Sequence, residues 1–226
     1  MAITIAFDVY GTLIDTQGIV AELSRRIGDS APAFSRLWRD KQLEYTFRRG
    51  LMRRYEDFSV CTADALRYTN LSFGAPLADA DFDALMAAYS VLPAFADVAD
   101  GMAAAKKAGH RLFALSNGRA DAVTALLTHA RIIESFEDIV SVDEIGSYKP
   151  DPDVYRHFLR RSGAEAADAW LVSSNPFDVA GAISAGLRAA WIKRSPDALF
   201  DPWRIEPTLI ARDLIELVHK IEDHRT

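Results

Sequence analysis

Residues 3–16 read ITIAFDVYGTLIDT, and the reading of this run decides the fold. Its first half, ITIAFDV at 3–9, is apolar, β-branched and aromatic, which predicts a buried strand. An acid, Asp8, stands at its end and the chain then enters a Gly-Thr turn. An aspartate closing a strand commonly does no more than cap the next turn, so this stretch alone leaves its role open. Similar short runs recur as HRLFALS at 110–116, FEDIVSV at 136–142, AWLVSS at 169–174 and RAAWIK at 188–193. Between them lie segments of helical pattern at 120–129, 152–162 and 179–186. This alternation predicts an α/β fold, a Rossmann-like parallel sheet with helices on both faces. A short strand near Leu209 and a helix over 213–223 would close it.

From Gln17 to about Leu92 no buried strand is visible. Ile19, Val20, Leu23 and Ile27 fall on one helical face, and Phe82, Leu85, Met86 and Tyr89 on another. The expected organisation is therefore a core domain from 1–15 and 93–226 with a helical cap subdomain, 16–92, inserted after the first strand. In open α/β sheets ligands sit at the carboxyl ends of the strands, where such a block would exclude water.

Composition narrows the function classes. The formal charge of -6 gives no reason to expect nucleic acid or an anionic membrane as partner. The basic run RRGLMRRY at 48–55 is expected to be a solvated helix face. Cys61 is the only cysteine, which excludes an intrachain disulfide and fits a reducing cytoplasm. The start MAITIAF carries no secretory pattern, and no apolar run approaches the roughly 20 residues that span a bilayer. A soluble cytoplasmic protein is expected. The five histidines are scattered without metal-ligand spacing.

The remaining strand ends are as polar as the first. The second runs into LSNGRAD, placing Ser116 and Asn117 before a glycine turn and a helix, which suits either a small-anion site or an ordinary cap. After the third comes GSYKPDPDVY, where Pro150 forces Lys149 into an extended or turn conformation. A lysine fixed there can hold a nearby carboxylate ionised, although a lone lysine is commonly just solvated. The fourth ends VSSNPFD, with Ser173, Asn175 and Asp178, the aspartate opening a helix.

As a set these residues resemble the haloacid dehalogenase superfamily, and within it the L-2-haloacid dehalogenases. The resemblance rests on DVYGTL at 8–13, LWRDKQLEY at 37–45, LSNG at 115–118, YKPD at 148–151 and SSNPFD at 173–178. Phosphatases of the superfamily carry a second acid two positions after the nucleophile and paired acids in the last loop that hold Mg²⁺. Here those places are Tyr10 and Ser174. A halide leaves as a stable anion and needs neither.

The resemblance implies roles. Asp8 is the nucleophile that forms an aspartyl ester on the halogen-bearing carbon, with inversion. Thr12 orients it and Lys149 keeps it ionised. Arg39 accepts the halide with Asn117. Ser116 and backbone amides from Val9 to Gly11 bind the substrate carboxylate. Asn175 and Asp178 handle the hydrolytic water, with Ser173 and Tyr155 completing the network; Asp178 could instead orient Lys149. Tyr10, Leu43, Phe58 and Phe177 belong to the pocket wall, for which core packing is the competing reading. The family implies a homodimer, a small 2-haloacid as partner, and neither cofactor nor metal. Two positions depart from its pattern: Asp40 follows the cap arginine where Gln is common, and is expected to point away, while Phe177 stands where Trp is common. A Mg²⁺-dependent phosphatase of the superfamily and a non-catalytic small-carboxylate-binding protein are the alternatives.

Overall fold

The structure, a computed structural model, describes residues 2–224. Six parallel strands form one sheet: β1 (Thr4–Phe7), β2 (Arg111–Ser116), β3 (Asp138–Ser141), β4 (Ala169–Ser173), β5 (Arg188–Ile192) and β6 (Leu209–Ala211). Their order is β3-β2-β1-β4-β5-β6. The strands are nearly continuous apolar runs because the central ones are covered on both faces; every residue of β1 and β4 is buried. In register, Phe7 stands beside Ala114 of β2 and Val172 of β4. The chain moves outward from β1 through β2 to β3, then returns to β4 on the other side of β1. That reversal leaves a crevice beyond the carboxyl ends of β1 and β4, the position at which such sheets bind ligands.

Helices α1 (Val20–Ile27), α2 (Ala31–Leu51), α3 (Phe58–Phe73) and α4 (Asp79–Tyr89) all fall between β1 and β2. The chain departs and returns side by side: Asp15 N–H donates to the Pro93 carbonyl at 2.8 Å and Phe95 N–H to the Leu13 carbonyl at 3.0 Å. The sheet-flanking helices are α5 (Val98–Lys107), α6 (Ala120–His129), α7 (Pro152–Ser162), α8 (Pro176–Ser184) and α9 (Leu214–His224). Helix α5 packs on α9 and α7 on α8. Right-handed crossovers put these two pairs on opposite faces of the sheet.

Two expectations need correction. Helix α8 starts at Pro176 rather than at 179, because Asn175 is its extended N-cap and Pro176 occupies the first turn, where a missing N–H costs nothing. Asp178 therefore sits inside the first turn instead of opening the helix. Helix α2 ends at Leu51, so the basic run 48–55 is only half helical; its continuation turns through Arg53 at a φ of 52°. Helix α3 carries no clear apolar stripe in sequence, since small and polar residues such as Cys61, Thr62 and Thr69 are among its buried side chains. Among the described residues no helix is long and apolar enough to cross a membrane.

Candidate active site

The crevice is built around Asp8. Its backbone N–H still pairs with the Val172 carbonyl at 2.9 Å, so the carboxylate is fixed to the sheet although the strand ends at Phe7. The next residues fold tightly: the amides of Thr12, Leu13 and Ile14 all converge on the Val9 carbonyl. Gly11 has a φ of 89°, a conformation glycine accepts without strain. This turn points the Thr12 hydroxyl back at Asp8 Oδ2, 2.7 Å away.

Two further donors reach the same oxygen: Asn175 Nδ2 at 2.7 Å and Ser173 Oγ at 3.2 Å. Asp8 Oδ1 takes Lys149 Nζ at 2.9 Å. Lys149 is fully buried, and its other ammonium protons go to Asp178 Oδ2 at 2.8 Å and the Leu115 carbonyl at 2.7 Å. All its donors are thus used on one geometry. Burial alone would pull the ammonium down, but Asp178 and Asp8 outweigh it and hold its pKa above the ordinary lysine value.

Asp178, also completely buried, accepts from Tyr155 Oη at 2.8 Å through its second oxygen. Gly181 makes that contact possible: a Cβ there would stand 2.5 Å from Tyr155 Oη. Burial pushes the Asp178 pKa up, with a further rise from Asp8, against the lowering by Lys149 and Tyr155. Both its partners donate, which is the arrangement of an ionised carboxylate.

Across the crevice stands Arg39 of α2, whose Nη2 donates to the Tyr10 carbonyl at 3.0 Å. It lines one small cavity together with Asp8, Tyr10, Asn117, Lys149 and Asn175. Leu43, Phe58 and Phe177 complete the wall of that cavity. The Asn117 carbonyl oxygen accepts the Lys149 backbone N–H at 3.1 Å, which leaves its amide protons for whatever enters. Burial raises the Tyr10 pKa well beyond the ordinary phenol range, so this ring is neutral. Asp40 is exposed on α2, away from the guanidinium's two partners.

The other expected residues lie just outside the cavity. Val9 is core, and the Gly11 N–H is spent on the Ile14 carbonyl. Ser116 is wholly buried under the turn after β2, where its Oγ accepts the Gly118 N–H at 3.0 Å. Thr12, Ser173, Asp178 and Tyr155 act on the cavity through Asp8 and Lys149.

Some participants lie outside the set of site residues expected from the sequence. Phe47 packs edge-on against Phe177 with ring centroids 5.0 Å apart; its spacing of four from Leu43 on α2 is the only hint. Ser174 donates to the Gly11 carbonyl at 2.6 Å, and its N–H caps the Thr12 hydroxyl oxygen at 2.8 Å. Arg194, just past β5, anchors the Thr12 carbonyl through Nε and Nη2. Among the described residues no group of three or more His, Cys, Asp or Glu is arranged to hold a metal ion.

A family model described as haloacid dehalogenase-like hydrolase matches residues 4–186. An (S)-2-haloacid dehalogenase of Pseudomonas putida is 38% identical over 94% of this chain and 93% of its own. Haloacetate dehalogenase H-2 of Moraxella sp. (strain B) is 34% identical, with 96% of each chain covered. The solved structure of L-2-haloacid dehalogenase from Xanthobacter autotrophicus with chloropropionic acid covalently bound superposes with a TM-score of 0.91 at 30% identity, covering 98% of this chain and 99% of that one.

Proposed function

We infer, from the premise that this chain belongs to the haloacid dehalogenase-like hydrolases, that it is an (S)-2-haloacid dehalogenase. It converts short L-2-haloalkanoates to 2-hydroxy acids with inversion. The observation that carries this reading is the opposition of the Lys149-paired Asp8 carboxylate to the Arg39 guanidinium across one cavity, with Tyr10 where a proton-donating acid would stand.

Oδ1 is the Asp8 oxygen with spare acceptor capacity, since Oδ2 already takes three donors. In our reading Oδ1 attacks C2 from the side opposite the halogen. The C–halogen bonding pair leaves with the halide, which is received by the N–H groups of Arg39 and Asn117. Fixed positive charge where negative charge develops lowers the barrier without reorganisation. The substrate carboxylate is assigned to the turn after β2, at the Asn117 N–H, with Ser116 bracing that turn from beneath through the Gly118 N–H.

Water then attacks the carboxyl carbon of the ester. The oxyanion forms on Oδ2, where Thr12, Ser173 and Asn175 already donate. The bond from that carbon to Oδ1 breaks, and Oδ1 departs with the product. It leaves beside the Lys149 ammonium, which can supply the hydroxyl proton; one proton of the attacking water goes to solvent, and the other, left on the regenerated Asp8 carboxyl, returns to Lys149 and restores the ion pair. Asp178, with one oxygen on Lys149 and the other on Tyr155, is better suited to hold the lysine than to activate water. Helices α1–α4 serve as the cap that excludes solvent. The enzyme is cytoplasmic and homodimeric in this reading, supported by its single buried cysteine and by the exposed apolar Leu51 and Leu71 of α2 and α3.

Halide release from L- and D-2-chloropropionate, measured with EDTA present, tests the function. Release from the L enantiomer alone is expected. No release from either, together with Mg²⁺-dependent phosphatase activity, would replace this reading by the phosphatase one.

The Asp178 network makes a prediction about pH. Tyr155 donates to the ionised carboxylate and so lowers its pKa; Tyr155→Phe removes that donor and raises it. The acid limb of the pH–rate profile should therefore move to higher pH in Tyr155→Phe. A limb that stays in place would dissociate Asp178 from the acid side of the profile.

A further inference from the structure

Arg39 is a long side chain, and an unrestrained arginine populates many rotamers. A halide cradle works only if the cation is already in place, because a displacement of about 1 Å can cost a hundredfold. One end of the guanidinium is held by the Tyr10 carbonyl. The other end, Nη1, donates to the side-chain oxygen of Gln42 at 2.6 Å. Gln42 stands three residues along α2 and is 1% exposed.

A glutamine amide can face a guanidinium with either end, and only its oxygen is useful here. The surroundings settle which. The Thr62 hydroxyl spends its proton on the Phe58 carbonyl, 2.7 Å away. It can therefore only accept from Gln42, and Gln42 Nε2 lies 2.5 Å from it. With Nε2 directed at Thr62, Oε1 must face Arg39. Tyr89 adds its own proton to the same oxygen at 3.1 Å, while its ring stacks on Tyr10 at 6.0 Å between centroids and packs tilted against Trp38 at 5.3 Å. A polarity fixed at a backbone carbonyl on α3 is thus passed through hydroxyl and amide to the guanidinium on α2. Each donor in this chain has one acceptor, and the amide oxygen takes two donors.

We propose that Gln42, oriented by Thr62 and Tyr89, is a positioning residue that fixes the Arg39 guanidinium to receive the departing halide. The proposal rests on the dehalogenase reading. It touches only the step in which the carbon–halogen bond breaks, because ester hydrolysis makes no demand on Arg39. The aid Arg39 gives is greatest where the leaving group is poorest, so loosening it penalises chloride more than bromide.

The test is Gln42→Met, which keeps side-chain length and removes both polar contacts, assayed on L-2-chloro- and L-2-bromopropionate. Turnover of the chloro substrate should fall about tenfold, the scale of losing a hydrogen bond to a charged group. The bromo substrate should lose distinctly less, KM should change little, and inhibition by added chloride should weaken. Thr62→Val, which touches neither substrate nor Arg39, should give the same pattern with smaller amplitude. It also serves if Gln42→Met does not fold. Combined with Arg39→Lys, the Gln42→Met loss should largely vanish, since both act through one guanidinium. Equal losses on both halides, with a lowered Tm, would overturn the proposal in favour of plain cap packing. Wild-type protein that releases no halide at all would instead fail the dehalogenase reading, so the two failures are distinct.

Discussion

Asp8→Asn should lose halide release by at least about 10⁴-fold, since removal of a covalent nucleophile is among the largest single effects known in enzymes. The asparagine is nearly the same shape, so the cavity survives, but its amide nitrogen is no nucleophile toward a carbon–halogen bond. It also confronts a ring of donors. Thr12, Ser173, Asn175 and Lys149 all point hydrogen at this side chain, and an amide can accept at only one of its two ends. A measurable fall in Tm is therefore expected beside the loss of activity, and far-UV circular dichroism would show the fold intact. Single turnover in water enriched in heavy oxygen adds a distinction that the mutant cannot. If Asp8 forms an ester that is hydrolysed at its carboxyl carbon, the label appears in the peptide containing Asp8. Label found only in the hydroxy acid would mean direct attack by water, with Asp8 as a base, and would sink the covalent mechanism.

The position of Asp8 is legible in sequence because strand, acid and glycine turn are all local signals. The same is true of Asn117, Lys149 and Asn175, each of which follows a strand whose apolar run marks its end. Register and depth are not local. Lys149 looks like a solvated lysine in a loop until β1 and the start of α8 are brought to it, and only then is its burial evident. Gln42 and Tyr89 are harder still. A glutamine on a helix reads as a surface residue, and its partners come from 20 and 47 positions away in sequence. Helix α3 escaped the pattern because it buries Thr62 and Thr69, whose hydroxyls are satisfied by carbonyls four residues back. Periodicity of apolar residues cannot see a polar side chain that is buried with its hydrogen bonds made.

Lys149→Met removes the one cation shared by two buried carboxylates. Breaking a buried ion pair by deleting one partner costs about 3–5 kcal/mol, because the remaining charge stays uncompensated. Here two carboxylates, Asp8 and Asp178, lose their partner at once. Turnover should also drop, by about 10²–10³-fold, as for removal of one preorganised charge. The pH dependence gives the stronger test. In the wild type the Lys149 pKa lies above its unfolded value, so its contribution is complete below about pH 10.4 and is lost as pH rises through the folded value. In the variant, Asp178 keeps the burial and the Asp8 charge that raise its pKa and loses the lysine that lowered it. Its neutral form is then favoured in the fold, so falling pH relieves the variant by protonating a buried acid. The stability gap between wild type and Lys149→Met should consequently be widest near neutrality, narrowing toward acid and again in strong alkali. Denaturant midpoints measured across pH would show this. A gap that stayed constant from acid to alkali would mean that Lys149 stabilises by packing its carbon chain, and that its charge does not compensate the buried carboxylates it touches.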